Sequence, residues 1–284
     1  MNLEPCSWHL SSAAPLAALL LACGAGTLPG GIDPPDGDSD VDADVDTDSD
    51  SDADDMVRVP EGEFGMGCVE DLGTGKLDCQ FGDTEPHDVW LSAFEIDRTE
   101  VTQAAYSECV EAGVCETPAC EWDPAGKPNY PVACIDRSQA SVFCEWRSAS
   151  LPTEAQWEKA ARGTDGRRLP FGTWYDVEYD DACEVVNSQP CADYALPVDG
   201  RPLGASPYGA LDMAGNVTEW VQDWYDGNYY PVSPDRDPPG PDTGTVRVGR
   251  GGCFVPRRTS ILVFNRDPLS PDAVEPWLGF RCAR

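Results

Sequence analysis

The cysteine content constrains this chain more than any other feature of its sequence. Thirteen cysteines occur in 284 residues, too many for a reducing cytosol unless they bind metal. Only His9 and His87 are available as imidazole ligands, and no Cys-x-x-Cys pair occurs, so a structural zinc site is not indicated. The 27 glycines and 26 prolines argue against long helices or a coiled coil. The sequence therefore favours an exported, loop-rich domain held by disulfides.

Residues 1–23 have the character of an export signal. Their apolar run is of signal-peptide length and too short to span a bilayer. The stretch Leu-Leu-Ala-Cys ending at Cys23 resembles the lipobox of bacterial lipoproteins, in which the cysteine is lipidated and becomes the mature N-terminus. The usual basic residues before the apolar run are missing, and Glu4 is present. We expect lipidation at Cys23; the alternative is a plain signal peptide cut near Ala22 and a secreted protein.

Residues 24–55 are expected to be a disordered tether. They contain twelve Asp and no Lys or Arg, and from Asp36 to Asp54 an Asp occupies every second position. Such a segment cannot bury apolar area and its charges repel, so it should be extended, with a reach of about 100 Å. An EF-hand is not supported, because the loop glycine and the closing Glu are absent. Loose binding of divalent cations is the alternative to a plain spacer.

Residues 56–284 are expected to form one acidic but otherwise ordinary domain. The first 55 residues hold 13 of the 51 acidic side chains and no Lys or Arg, and no linker or repeat interrupts the remainder. The formal net charge of −32 repels phosphate backbones, so no nucleic-acid partner is expected.

Short strands and three helices are predicted within this domain. The strands are expected at 56–59, 64–67, 89–91 and 94–96. Thr102 is predicted to cap a helix that ends near Ala112, and Ser138 to cap a second one. Thr153 and Gln156 have the spacing of a capping box for a third helix, which ends at Gly163. Beyond that point the sequence indicates mostly turns and short extended segments.

Five motifs occur in a fixed order across the domain. They are RTEVT (98–102), LPTEAQWEKAARG (151–163), YGALDMAGNVTEWVQDWY (208–225), VRVGRGG (246–252) and LGFRCAR (278–284). Together they resemble the formylglycine-generating enzyme family, also called the sulfatase-modifying factor domain family, over essentially residues 56–284. The resemblance implies a compact α+β fold, similar to C-type lectins, with little regular secondary structure.

The resemblance breaks at the chemistry of the family. Its members oxidise a sulfatase cysteine to formylglycine with copper held by two cysteines, four and nine residues after the second glycine of a Gly-Gly motif. Here these positions are Pro256 and Ile261, and neither side chain binds copper(I), which prefers thiolates. Cys253 stands where the family usually has Ser. We therefore expect no copper, no catalytic residue and a binding or scaffold module; the alternative is an oxidase that uses Cys253 with a second thiol such as Cys134.

A calcium loop is also implied by the resemblance. In the family, an Asp/Asn-x-x-Gly-Asn-x-x-Glu-Trp segment wraps a structural calcium ion. This maps onto Asp212 and Glu219 as side-chain ligands and Gly215 and Val217 as carbonyl ligands, a set of oxygens that suits calcium. The alternative is a loop held only by hydrogen bonds. A second family calcium site would involve three residues, Asn187, Ser188 and Asp193.

Eleven cysteines follow Cys23, and five disulfides are expected among them. The resemblance implies the pair Cys144–Cys282. Short separations suggest the other four, although spacing alone does not fix connectivity: Cys68–Cys79, Cys109–Cys115, Cys120–Cys134 and Cys183–Cys191. Cys253 is then the odd member of the set.

The expected partners follow from these features. A lipid anchor would place the domain on the outer side of a bacterial membrane. The family's substrate groove would accept a peptide or a glycan, and the candidate aromatic side chains for it are Trp174, Trp224, Tyr229 and Tyr230. The alternative is that these aromatics belong to the core.

Overall fold

The structure is a computed structural model that describes residues 55–69, 85–172, 182–188, 190–255 and 261–284. Helices and strands are both present and short, as the glycine and proline content predicts. Within these ranges no helix combines the length and apolar character needed to cross a bilayer.

Two antiparallel strand pairs form the first part of the domain. Strand β1 (Met56–Val59) pairs with β4 (Phe94–Asp97), and β2 (Gly62–Met66) pairs with β3 (His87–Leu91). These agree with the predicted strands to within two residues at each end. Alternate residues of β2 and β3 are buried, because successive side chains of a strand point to opposite faces.

Three longer helices follow. Helix α1 (Gln103–Glu111) is capped by Thr102, and α3 (Glu154–Arg162) begins at the predicted capping box and ends at Gly163. Helix α2 (Arg137–Trp146) begins earlier than predicted, because Asp136 rather than Ser138 is its cap. The Asp136 carboxylate accepts from the Gln139 backbone N–H, a stronger acceptor than a hydroxyl. A single-turn helix, α4 (Ala182–Val185), comes next.

A four-stranded sheet forms the later part of the domain. Its strands are β5 (Thr218–Trp224), β6 (Arg247–Arg250), β7 (Asp267–Leu269) and β8 (Leu278–Phe280). Their order is β7-β6-β5-β8, with β5 and β8 parallel and the other pairs antiparallel. The register between β5 and β6 shifts between Trp220 and Trp224, so the middle of β5 leaves the regular ladder. Sequence patterns indicated only isolated extended pieces in this region.

Disulfides join the loops to this framework. Four expected bridges are confirmed: Cys109–Cys115, Cys120–Cys134, Cys144–Cys282 and Cys183–Cys191. Cys68 is also disulfide-bonded, but Cys79, its expected partner, lies outside the described residues. Cys253 is fully buried and belongs to none of the four bridges.

Helix α3 lies within the core although nearly half of its residues are charged. Its four charged side chains after the cap are all buried: Glu154, Glu158, Lys159 and Arg162. Arg250 on β6 donates to Glu154 and to Glu158, and Arg162 pairs with Glu158 at 2.6 Å. Burial of a charge is tolerated only when it is paired and hydrogen-bonded, and here each buried carboxylate meets a guanidinium.

Candidate functional site

The segment that follows strand β6 carries the Gly-Gly motif into the interior. Gly251 and Gly252 have φ of 89° and 68°, a left-handed backbone that favours glycine. Cys253 is fully buried and Phe254 is 7% exposed. Ile261 is also buried, in an apolar cluster formed with four other side chains, Leu169, Val185, Val186 and Ala214. Pro256 lies outside the described residues.

An open groove of about 340 Å³ lies beside this segment. Phe254 contributes an aromatic wall, and Tyr130 and Tyr194 contribute two more. Tyr194 is 58% exposed, so most of its ring is accessible to a ligand. Lys127 and Glu121 supply charge at the same groove and pair with each other at 3.6 Å. The groove therefore combines apolar faces with a few polar groups, as small-ligand and peptide sites commonly do.

Two disulfides and one buried amide fix the walls of the groove. Cys120–Cys134 brackets the segment that contains Glu121 and Tyr130, and Cys183–Cys191 precedes the segment that contains Tyr194. The Gln103 side chain donates to the Glu121 carbonyl at 2.9 Å and accepts from the Asp123 N–H at 2.8 Å. These constraints hold the aromatic walls in place before any ligand binds, which lowers the entropy cost of binding.

The predicted calcium loop adjoins the groove, because the Phe254 N–H donates to the Asn216 carbonyl at 3.2 Å. Asp212, Gly215 and Asn216 all have positive φ, between 55° and 79°. Gly215 forms a bridge with Asn187, and a Cβ atom at Gly215 would collide with the Asn187 carbonyl oxygen. The two segments predicted to bind calcium, 187–188 and 212–219, are thus brought side by side, with Val217 buried between Asp212 and Glu219 in the chain. Asp193, in contrast, lines the groove.

Arginine side chains neutralise both carboxylates of this loop. Arg201 donates to Asp212 Oδ1 through Nε and Nη2, at 3.1 and 2.8 Å. Glu219 accepts from Arg281 on both oxygens at 2.7 Å, and its Oε2 also accepts from Trp157 Nε1 at 2.8 Å. All of these side chains are buried, so the pairs are shielded from water.

A third carboxyl group lies in the same neighbourhood. Glu100 is 1% exposed, and its Oε1 accepts from Asn216 Nδ2 at 3.0 Å. Burial first, and then the nearby Asp212 carboxylate, raise the pKa of Glu100 well above its usual range. Its Oε2 is buried with no hydrogen-bond partner among the described residues.

Comparison with known proteins places the chain in a family. Residues 41–284 match the profile of the "Sulfatase-modifying factor enzyme 1-like domain", which is most of the chain. The chain belongs to the sulfatase-modifying factor family. The match begins inside the segment expected to be the tether.

Proteins similar to this chain carry names that indicate different activities. The chain is 33% identical to a formylglycine-generating enzyme of Streptomyces coelicolor, over 80% of this chain and 88% of that one. It is 28% identical to the inactive C-alpha-formylglycine-generating enzyme 2 of Mus musculus, over 80% and 85%. It is 32% identical to the serine/threonine-protein kinase pkn1 of Chlamydia pneumoniae, of which it spans only 38%.

Solved structures of similar fold support the assignment to the family. PvdO from Pseudomonas aeruginosa superposes with a TM-score of 0.66 at 26% identity, covering 82% of this chain and 96% of that one. Treponema denticola variable protein 1 gives a TM-score of 0.63 at 23% identity, covering 80% and 94%, and this likeness concerns the fold alone.

The structure also bears on the thiols that an oxidase of this family would need. Cys134, the second thiol of the alternative oxidase, is bonded to Cys120 and is therefore not available beside Cys253. Ile261, at the position of the second copper cysteine, is a core side chain.

The residues predicted to bind calcium differ in how well their oxygens are available to a cation. Asn187 Oδ1 is buried and has no hydrogen-bond partner among the described residues, and amide oxygens are ordinary calcium ligands. Calcium at Asp212 or Glu219 would have to share the carboxylate with Arg201 or Arg281. In the described part of the chain no three His, Cys, Asp or Glu side chains converge as a metal centre. Calcium at these residues stays a prediction.

The three aromatic candidates that the structure describes do not line the groove. Trp174 lies outside the described residues, and Tyr230 is buried in the core. Trp224 and Tyr229 are partly exposed but do not contribute to the groove. The groove aromatics that sequence reasoning missed are Tyr130, Tyr194 and Phe254. The position of Phe254 directly after Gly-Gly-Cys was the one available signal.

Proposed function

We propose that this chain is a non-oxidase binding domain of the sulfatase-modifying factor family, located outside the cytoplasm, that takes a peptide or a glycan in the groove lined by Tyr130, Tyr194 and Phe254. The observation that carries the proposal is the pairing of a preformed aromatic groove with a copper position occupied by a buried Ile261. Aromatic faces bind sugar rings and extended peptides through apolar contact, and Lys127 and Glu121 offer polar partners.

The export features support the location. Residues 11–23 have signal-peptide character, and disulfides persist in oxidising compartments. The proposal places a lipid on Cys23 and the domain on the outer side of a bacterial membrane, with residues 24–55 as a spacer. Metabolic labelling with a fatty acid tests the anchor; label that persists in Cys23→Ala contradicts it.

The groove is tested with peptide and glycan arrays, followed by calorimetry on any ligand found. We expect Tyr194→Ala to weaken that ligand at least tenfold, because an exposed aromatic contact is lost. Val232→Ala is the control, since Val232 is 75% exposed and lies outside the groove. If both Tyr194→Ala and Val232→Ala bind the ligand as tightly as the parent chain, the groove assignment is contradicted.

The oxidase alternative has its own assay. The chain is incubated with copper, reductant, oxygen and a Cys-x-Pro-x-Arg peptide, and the products are analysed by mass spectrometry. We expect the peptide cysteine to remain unchanged. Its conversion to an aldehyde would show that the family activity survives.

We also propose that calcium stabilises the domain at Asn187 and the adjoining loop. A cation that binds only the folded state stabilises it by about 2.7 kcal/mol at a hundredfold excess over Kd, which for a domain of this size shifts Tm by several degrees. We expect a chelator to lower Tm of the full chain, and Asn187→Ala or Asp212→Ala to remove most of that shift. The variants retain the acidic segment 24–55, so the difference between variant and parent isolates the loop. Equal melting temperatures in calcium and in chelator would contradict the proposal.

A further inference from the structure

Two arginine side chains meet at one carbonyl oxygen on the surface of the domain. Arg137 Nη2 and Arg247 Nη1 both donate to the Gln222 carbonyl, at 3.1 and 2.6 Å. The register shift in β5 between Trp220 and Trp224 frees this carbonyl from the ladder. Arg137 is the first residue of helix α2 and Arg247 the first of strand β6, so two rigid elements bring the guanidinium groups together.

Neither guanidinium is neutralised by a neighbour. Among the described residues, Arg137 and Arg247 form no ion pair, whereas Arg250, Arg266 and Arg281 each contact a carboxylate. Asp223 and Glu145 act on Arg137 at longer range, and Asp223 does so on Arg247. Burial, and next the charge of Arg137, lower the pKa of Arg247 to about 10. Two uncompensated cations side by side are unexpected in a chain whose net charge is −32.

Most hydrogen-bond donors of the pair are unused. A guanidinium has five N–H donors in a planar fork, and each of these two gives one to the Gln222 carbonyl. Both Nε atoms are buried with no partner among the described residues. The Cζ atom of Arg247 lies 3.3 Å from the centre of the Trp224 ring, so one face of this guanidinium is covered and its donors remain at the edge. Stacking of this kind orients a guanidinium for bidentate recognition.

The surface beside Arg137 is open and polar. A depression of about 400 Å³ is lined by Arg137 together with the hydroxyl-bearing side chains of Ser138, Ser141 and Ser150. These hydroxyls can donate to an anion held by Arg137. Arg247 does not line the depression itself, but it donates to Gln222, which does. Glu145 also lines the depression, and its carboxylate would repel a ligand that carries several negative charges. The depression shares no lining residue with the aromatic groove.

We propose that Arg137 and Arg247 form a binding site for a single small oxyanion, a carboxylate, sulfate or phosphate group, held between the two guanidinium forks. Oxyanions of this size accept two or more charge-assisted hydrogen bonds from arginine, and binding would remove the repulsion between the two cations. The site is independent of the proposed groove function.

The test measures the binding of sulfate, phosphate and acetate to the full chain by calorimetry at constant ionic strength, with chloride as the background anion. We expect at least one of the three to bind saturably, and the preferred anion identifies the source of the oxyanion. Arg137→Gln and Arg247→Gln should each weaken binding at least tenfold. Arg247→Lys keeps the charge but not the planar fork, so its affinity should lie between those of the parent chain and Arg247→Gln.

The matched control is Arg236→Gln. Arg236 stacks on Trp90 with its Cζ 3.4 Å from the ring centre, as Arg247 does on Trp224, but it has Asp237 as a partner at 3.8 Å. Its removal should leave anion binding unchanged. Absence of saturable binding by all three anions to the parent chain would overturn the proposal, and so would an equal loss in Arg236→Gln. The parent measurement decides the matter even if an arginine variant fails to fold.

Discussion

Asp223 illustrates how burial decides the chemistry of a single carboxyl group. It is 4% exposed, and its Oδ2 accepts from the Glu154 backbone N–H at 2.8 Å at the start of helix α3. Burial first, and then the neighbouring Glu154 carboxylate, raise the pKa of Asp223 to about 7, while Arg266 and Arg250 oppose this. The same group in an unfolded chain titrates near 3.9.

A pH dependence of stability follows from this difference. Between about pH 4 and pH 7 the folded state holds a proton on Asp223 that the unfolded state has lost. The stabilisation from this group is therefore complete below pH 4, and it is lost as the pH rises to 7. Asp223→Asn cannot titrate and should gain stability relative to the parent across this window. Urea unfolding between pH 4.5 and 8 measures it, with the exposed Asp226→Asn as control. Parallel curves for parent and Asp223→Asn would contradict the assignment.

At the scale of an element, helix α3 is held in the core by ion pairs as well as by apolar contacts. Arg250 donates to Glu154 and Glu158 and also to the carbonyls of Val263 and Asn265. It thereby ties the helix to strand β6 and to the segment before β7. Because these groups are buried, removal of Arg250 takes one guanidinium away from both carboxylates and leaves two buried carbonyls without their donor, although Glu154 keeps Arg266 and Glu158 keeps Arg162.

The substitution Arg250→Met tests this account. We expect it to lower the free energy of unfolding by about 3–5 kcal/mol, the usual cost of breaking a buried pair from one side. Arg98→Gln is the control, because Arg98 pairs with Asp55 at 3.2 Å and the two side chains are 43% and 60% exposed. Exposed pairs of this kind contribute about 1 kcal/mol or less. Denaturant titration measures both variants; similar small losses in the two would show that the α3 network does not stabilise the helix.

At the scale of the whole molecule, the Cys144–Cys282 disulfide joins helix α2 to the segment after strand β8. Its two cysteines are 138 residues apart, whereas Cys109 and Cys115 are 6 apart. In the chain-entropy model the longer loop stabilises the fold by about 5 kcal/mol and the shorter by about 2 kcal/mol. The long-range bridge should therefore matter far more.

Paired substitutions compare the two bridges. We expect Cys144→Ala with Cys282→Ala to lower Tm by roughly twice as much as Cys109→Ala with Cys115→Ala. Calorimetry of the oxidised proteins measures both. A larger loss for the Cys109–Cys115 pair would mean that local packing, rather than the length of the closed loop, sets the contribution of these disulfides.

The sequence predicted features that depend on neighbours in the chain. The caps at Thr102 and Thr153 and three short-range disulfides were found, because each involves residues a few positions apart. The sequence did not predict the burial of Glu158 or the convergence of Arg137 with Arg247. Both depend on tertiary contacts between residues about 90 to 110 positions apart. Sequence periodicity identifies only apolar faces as buried, whereas helix α3 also buries its charged side chains. The family motifs supplied what local patterns could not, including the Cys144–Cys282 pair.

The position of strand β8 has a consequence for the synthesis of the protein. Leu278–Phe280 lie parallel to β5, and Arg281 pairs with Glu219. Ala283 and Arg284 form backbone hydrogen bonds with Ser150 and Glu95. These contacts cannot form during synthesis until residues 278–284 have left the ribosome. Until then β5 lacks its β8 neighbour, and the four-stranded sheet is incomplete. A polypeptide interrupted before residue 278 would therefore lack one neighbour of β5 and the buried guanidinium that pairs with Glu219, and its sheet would keep an open edge where β8 belongs.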